Sequence, residues 1–166
     1  TYGPGEGAGI TFASLSSVQP AINAQGQVAF RGTDSTTGNP NGLWLRTGSA
    51  NAVLGINGGP QPGGGTYPTG ASASFNSYHI NNAGEAAWRL GAGTGAFATA
   101  GGSPARYILA GDSAPGTTIS DPRAVFSGIS SGMPLFNQSS QLAVLASLPP
   151  NAALNPPVVT TRGRAN

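Results

Sequence analysis

The chain has 166 residues, with 27 Gly, 14 Pro, no Cys and only 7% charged side chains, seven Arg against five acids, where an ordinary soluble domain carries about 25% charged residues. The missing Cys excludes disulfides and thiolate metal sites, and no run of about eighteen apolar residues exists that could cross a membrane as a helix. Gly and Pro interrupt every segment long enough for helical periodicity, yet 38% hydrophobic content suffices for a core, so the sequence predicts an all-β domain with almost no helix.

In chain order, Thr1 stands where an initiator Met would, which fits a processed or excised product such as a secreted one. A Gly3-Pro4-Gly5 loop and a short apolar stretch, Ile10-Thr11-Phe12, precede the first landmark, Ile22-Asn23-Ala24-Gln25-Gly26-Gln27-Val28-Ala29-Phe30. Asn at the first position of a turn can bond its own backbone two residues on, and Gly three positions later accepts a left-handed conformation, so Asn23 to Gly26 reads as a tight hairpin. Val28 and Phe30 then alternate with Ala29 and Arg31, which gives the following strand one apolar face. Gly42-Leu43-Trp44-Leu45-Arg46 and Ala52-Val53-Leu54-Gly55 complete a first unit of about four short strands.

The same series returns twice. Gln61-Pro62-Gly63 and Ala73-Ser74-Phe75 lead to Ile80-Asn81-Asn82-Ala83-Gly84-Glu85-Ala86-Ala87-Trp88, then Gly95-Ala96-Phe97-Ala98-Thr99 and Tyr107-Ile108-Leu109. Ala114-Pro115-Gly116 and Ala124-Val125-Phe126 lead to Phe136-Asn137-Gln138-Ser139-Ser140-Gln141-Leu142-Ala143-Val144, then Pro157-Val158-Val159-Thr160-Thr161. The Asn positions lie 58 and 56 residues apart, a spacing that suits one small β unit like a propeller blade. The expected organisation is a single repeat domain over residues 1–166, with units at roughly 1–58, 59–111 and 112–166, the last lacking its final strand. Ala29, Ala87 and Ala143 stay small, which predicts close approach of a neighbouring sheet. Ser140 replaces the Gly of the other copies and marks the third unit as the degenerate one, at a cost of about 1 kcal/mol if it keeps the left-handed geometry.

Catalytic constellations are missing from this pattern, and no enzymatic activity or cofactor is expected. His79 is the only His, no nucleophile-elbow motif accompanies it, and it reads as a strand residue beside Tyr78. Glu6 and Glu85 would have to meet across units to form a glycosidase pair; Glu85 stands where the other copies have Gln27 and Gln141, which points to a solvated turn side chain. Asp34, Asp112 and Asp121 are too dispersed for a calcium loop, and Gly63-Gly64-Gly65 opens no helix that could cradle phosphate. Trp44, Trp88, Phe30 and Phe97 read as core, whereas Tyr2, Tyr67 and Tyr78 lie in Gly-rich stretches and are candidates for exposed contacts. Asn137-Gln138-Ser139 fits a glycosylation sequon that coincides with the hairpin turn. The pI near 9.5 comes from Arg residues scattered without a cluster, which excludes a nucleic-acid footprint.

Asn-x-x-Gly-x-Val-Ala-Phe, a Gly-Leu-Trp strand and the loop Ala110-Gly111-Asp112-Ser113-Ala114-Pro115-Gly116 together resemble tandem-repeat bacterial surface proteins that carry an Asn-x-x-Gly-x-x-Ala-Phe repeat. The resemblance covers nearly the whole chain and implies a secreted, propeller-like protein without an enzymatic role to carry over; no visible anchor segment accompanies it here. With a net charge near +2 and a surface of Ser, Thr, Asn, Gln and Gly, burial in an assembly is the economical explanation, a glycan coat the rival. The function expected is an extracellular structural protein forming a head-to-tail homopolymer, a filament or surface layer, by strand complementation at its termini. Tyr2, Ile10 and Phe12 at one end and Val158, Val159 and Arg162 at the other are the expected interface. The alternative is a monomeric adhesion or carbohydrate-binding module.

Overall fold

A computed structural model describes residues 11–35, 41–69, 75–91, 93–100, 102–113, 125–130, 132, 135–149 and 158–162, the last segment as backbone. Among these residues there is no helix, and thirteen strands form three antiparallel sheets. The first sheet holds β1 (Phe12–Leu15), β2 (Ala21–Ile22), β3 (Val28–Asp34), β4 (Asn41–Thr47) and β5 (Ala50–Ile56). The second runs β6 (Ser77–Ile80), β7 (Ala86–Arg89), β8 (Gly95–Ala100), β9 (Ser103–Leu109), in sequence order. In the third, β10 (Gly128–Ile129), β11 (Leu135–Phe136) and β13 (Val158–Arg162) all pair with β12 (Leu142–Ser147).

Each sheet thus contains one Asn turn, and the strand after that turn lies between neighbours on both sides. β1 and β2 share one edge of β3, and β10 and β11 share one edge of β12, so both pairs occupy the place that β6 fills alone beside β7. β13 pairs with β12 as β4 pairs with β3, and among the described residues nothing takes the place of β5 or β9 in the third sheet. Two expected strands are displaced: Phe75 and Phe126 are not in strands, the first strand of the second sheet beginning only at Ser77. Both rings serve instead as buried plugs beneath the sheets.

The sheets stack face to face, and alternation decides which residues meet. Ala29, Leu43, Leu45 and Leu54 of the first sheet pack on Ile80, Ala86, Trp88 and Phe97 of the second. The other face of the second sheet, with Ala87, Ala96, Ala98 and Ile108, packs on Ile129, Phe136, Leu142, Val144 and Ala146 of the third. The middle sheet is therefore buried on both faces, which explains why β7 reads Ala-Ala-Trp-Arg with every residue buried. Ala29 and Ala87 are fully buried at these two contacts, the close approach their size predicts, while Ala143 lies on a face that no described residue covers to the same extent.

Aromatic pairs stack on two of the faces, one on the outer side of the first sheet and one where the second sheet meets the first. Phe30 and Trp44 face each other across β3 and β4 with ring centroids 6.1 Å apart, and Trp88 and Phe97 do so across β7 and β8 at 5.8 Å, nearly parallel in each case. The rings lie over a glycine two residues back. A Cβ on Gly42 would stand 2.4 Å from Trp44 Cη2, and one on Gly95 would stand 3.0 Å from Phe97 Cε2, so these strands need Gly-x-aromatic and not merely an apolar run.

Candidate assembly surface

The Asn turns are built alike. Asn23 Oδ1 accepts from Gln25 N at 3.1 Å and Gln27 N at 2.9 Å, Asn81 Oδ1 accepts from Glu85 N at 2.9 Å, and Asn137 Oδ1 accepts from Ser139 N at 3.0 Å and Gln141 N at 2.9 Å. In each turn the Asn Nδ2 also donates to the side chain at the fifth position, Gln27, Glu85 or Gln141. The fourth position is left-handed throughout: φ is 73° at Gly26, 79° at Gly84 and 60° at Ser140, the only non-Gly residue with positive φ among those described. The third copy thus keeps the geometry despite its Ser.

These turns touch one another in series. Asn23 Nδ2 donates to Asn81 O at 2.9 Å, and Asn81 Nδ2 donates to Asn137 O at 3.3 Å. At the second position Ala24 N donates to Asn82 Oδ1 at 3.1 Å, and Asn82 N to Gln138 Oε1 at 2.6 Å. At the fourth, a Cβ on Gly84 would meet Gln27 Oε1 at 2.6 Å, while Ser140 Oγ bonds Glu85 Oε2. The three turns therefore form a ladder in which each donates to the next, and Glu85 is buried within it rather than solvated as the substitution pattern suggested. The sequence did carry a signal for that pairing: Glu for Gln in the second copy and Ser for Gly in the third are the two departures that meet.

Away from the ladder, the outermost faces expose large apolar side chains, with Arg46 opposite Val28 on the first. On the first sheet Ile22, Val28 and Phe30 share the side opposite Ala29, because Ile22 pairs with Val28 and Phe30 with Trp44. Phe12, Leu15, Val18 and Phe30 line a cleft of about 410 Å³ there, with Arg31 and Arg46 also on its wall. On the third sheet Leu135 pairs with Ala143, and both lie opposite the buried Phe136 and Leu142, together with Leu145. Exposed large hydrophobic residues among those described are Leu15 at 68%, Ile22 at 69%, Leu135 at 73% and Leu145 at 43%, all on these two end sheets and none on the middle one.

Four of the six expected interface residues are among those described. Tyr2 and Ile10 lie outside the described residues. Phe12 pairs with Asp34 and stands edge-on to both Phe30 and Trp44 at 5.4 and 5.0 Å, so it belongs to the cleft wall. Val158, Val159 and Arg162 sit in β13, paired with Ala146, Leu145 and Leu142 of the same chain. That segment fills an edge of its own sheet, so donating it to a neighbour would first require unpairing it.

The candidates for chemistry do not converge. Among the described residues no three His, Asp or Glu approach one another as metal ligands would. His79 is in β6 opposite Ala87, Asp112 holds Arg106 at 3.2 Å and Leu109 N at 2.8 Å, and Glu6 and Asp121 lie outside the described residues. Gly63 to Gly65 close a turn on Gln61, with Gly63 against the Arg106 side chain. Tyr67 and Tyr78 are buried, not exposed: aromatic rings and strand packing enclose them, and the Tyr78 hydroxyl donates to Gln19 O at 2.9 Å. Burial pushes both hydroxyls' pKa up; Arg31 opposes the shift at Tyr78, and the Trp88 indole opposes it at Tyr67, though its geometry falls short of a hydrogen bond. Arg89, desolvated at the back of the middle sheet, has its pKa lowered and donates to Leu90 O at 2.8 Å.

A family model covering residues 2–155 matches this chain. It belongs to the family of unknown function DUF7453. No match was found among curated proteins or solved structures. For this DUF7453 chain, then, the physical features of the site carry the functional argument: a ladder of turns, two apolar end faces and no cluster of reactive groups among the described residues.

Proposed function

We propose that this chain is a structural, self-associating module of the extracellular surface, whose task is to stack sheets into a larger assembly. The observation that carries the reading is that, among the described residues, the exposed large hydrophobic side chains lie on the two end sheets alone. Apolar faces of that kind are stabilised by covering them, at about 25 cal/mol per Å² removed from water, and the scarcity of charge leaves little to oppose association. The resemblance to tandem-repeat surface proteins supports the extracellular setting, and a propeller-like arrangement of the units is part of the same reading. Strand complementation by the N-terminal segment, residues 1–12, stays part of this reading, while at the other end face-on-face contact is the route that leaves β13 paired with β12.

Light scattering and cryo-electron microscopy of the purified chain between 1 and 200 µM, as order-of-magnitude limits for an interface of modest size, test the reading. Particles or filaments at multiples of 16.3 kDa are the expected result. A homogeneous 16.3 kDa species across that range would refute it.

A further inference from the structure

We infer that the third sheet of one copy docks on the first sheet of a second copy, by the same contact that joins the sheets inside the chain. This rests on the self-association proposed above and names the two surfaces that make it. The decisive comparison is among the residues that precede the Asn turns. Ile80 and Phe136 are buried, at 4% and 8% exposure, because the preceding sheet covers them, whereas Ile22 at the same place on the first sheet is 69% exposed. Ala143 and Leu145, at the far end, stand where Ala29 and Arg31 stand on the sheet that does the covering. The occupant each end lacks is the other end.

The ladder continues across the same junction. Among the described residues Asn23 O accepts from Gly26 N alone, whereas Asn81 O accepts from both Gly84 N and the Asn23 amide; Asn137 Nδ2 of a second copy supplies the matching second donor. A Cβ on Gly26 would have nothing within 4 Å, which leaves the place that Gln27 occupies over Gly84 open for the second copy's Gln141. One rung is incomplete. Ala24 carries no side-chain acceptor, whereas Asn82 and Gln138 at that position accept the backbone N–H of the preceding turn. The contact is heterologous, one head to one tail, so copies add end to end until the rotation closes a ring or runs on as a filament.

The test uses the full chain with three substitutions, each checked for an unchanged β-sheet circular dichroism spectrum. Leu145→Asp and Ile22→Asp place a charge at exposed positions on opposite ends, so each alone is expected to leave a monomer by sedimentation velocity. Mixed one to one, the two variants still have one intact head and one intact tail between them and are expected to form a dimer and nothing larger. Ala24→Asn supplies the missing acceptor and is expected to tighten wild-type association three- to tenfold. Assembly of either Asp variant to the wild-type size, or failure of the mixture to dimerise while the wild type assembles, overturns this interface and leaves self-association by another surface. A wild type that stays monomeric overturns both.

Discussion

Replacing Ser140 with Gly separates two opposing effects at one residue. Ser140 holds φ at 60°, which costs a residue with a Cβ about 1 kcal/mol relative to Gly, and on that ground Ser140→Gly would stabilise the chain. The hydroxyl, however, bonds Glu85 Oε2 in a partly buried setting, and a hydrogen bond to a charged group is worth about 1.5–3 kcal/mol. The second effect is larger, so Ser140→Gly should destabilise by about 1 kcal/mol and lower the melting temperature by roughly 2–4 °C for a chain of this size. The sign should reverse when Glu85→Gln is introduced as well, because that pair recreates the Gln27–Gly84 contact between the first two turns. Thermal melts and urea titrations of the four members of this cycle give the coupling, expected at about 1.5–2 kcal/mol. If Ser140→Gly shifts stability equally in both backgrounds, or raises it in the wild type, the account of the ladder is wrong.

Two other outcomes follow from packing and burial. Gly42→Ala forces a methyl to within 2.4 Å of the buried Trp44 ring, so it should cost about 1–3 kcal/mol and shift the tryptophan emission to longer wavelength, both read in one fluorescence-monitored urea titration. Burial raises the folded-state pKa of Tyr67 and Tyr78 above the ordinary value of 10.0, so the unfolded chain loses its protons first. Stability is then complete below pH 10.0 and falls as the pH climbs beyond it; Tyr67→Phe should make that alkaline decline shallower, and melts from pH 8 to 12 that superimpose for the two proteins would contradict the assignment.

Local chemistry was readable from the sequence wherever the cause lay within a few residues. Asn23, Asn81 and Asn137 announced their turns because the side chain bonds its own backbone two to four positions on, and Ser140 proved to need the left-handed conformation that its place in the motif implied. The strands after those turns, and the aromatic strands β4 and β8, followed from alternation. Long-range effects were hidden. Glu85 looked like a solvated turn residue because its partner Ser140 lies 55 residues away, and Tyr67 and Tyr78 looked exposed because Gly-rich surroundings say nothing about what folds over them. The breaks that split β1 from β2 and β10 from β11 were likewise invisible, since an apolar stretch fixes neither register nor the point at which a strand leaves its neighbour.

The stacked aromatic pairs place one large and one medium ring across adjacent strands, but in opposite order: Phe on β3 and Trp on β4, then Trp on β7 and Phe on β8. Position by position the two copies disagree, while the volume that each pair contributes to its layer is the same. The quantity held constant is a sum over two strands. Divergence between such units is therefore best measured over pairs, since a change that looks severe at one site can be cancelled directly across the sheet; exchanging both rings at once should be far milder than exchanging either alone.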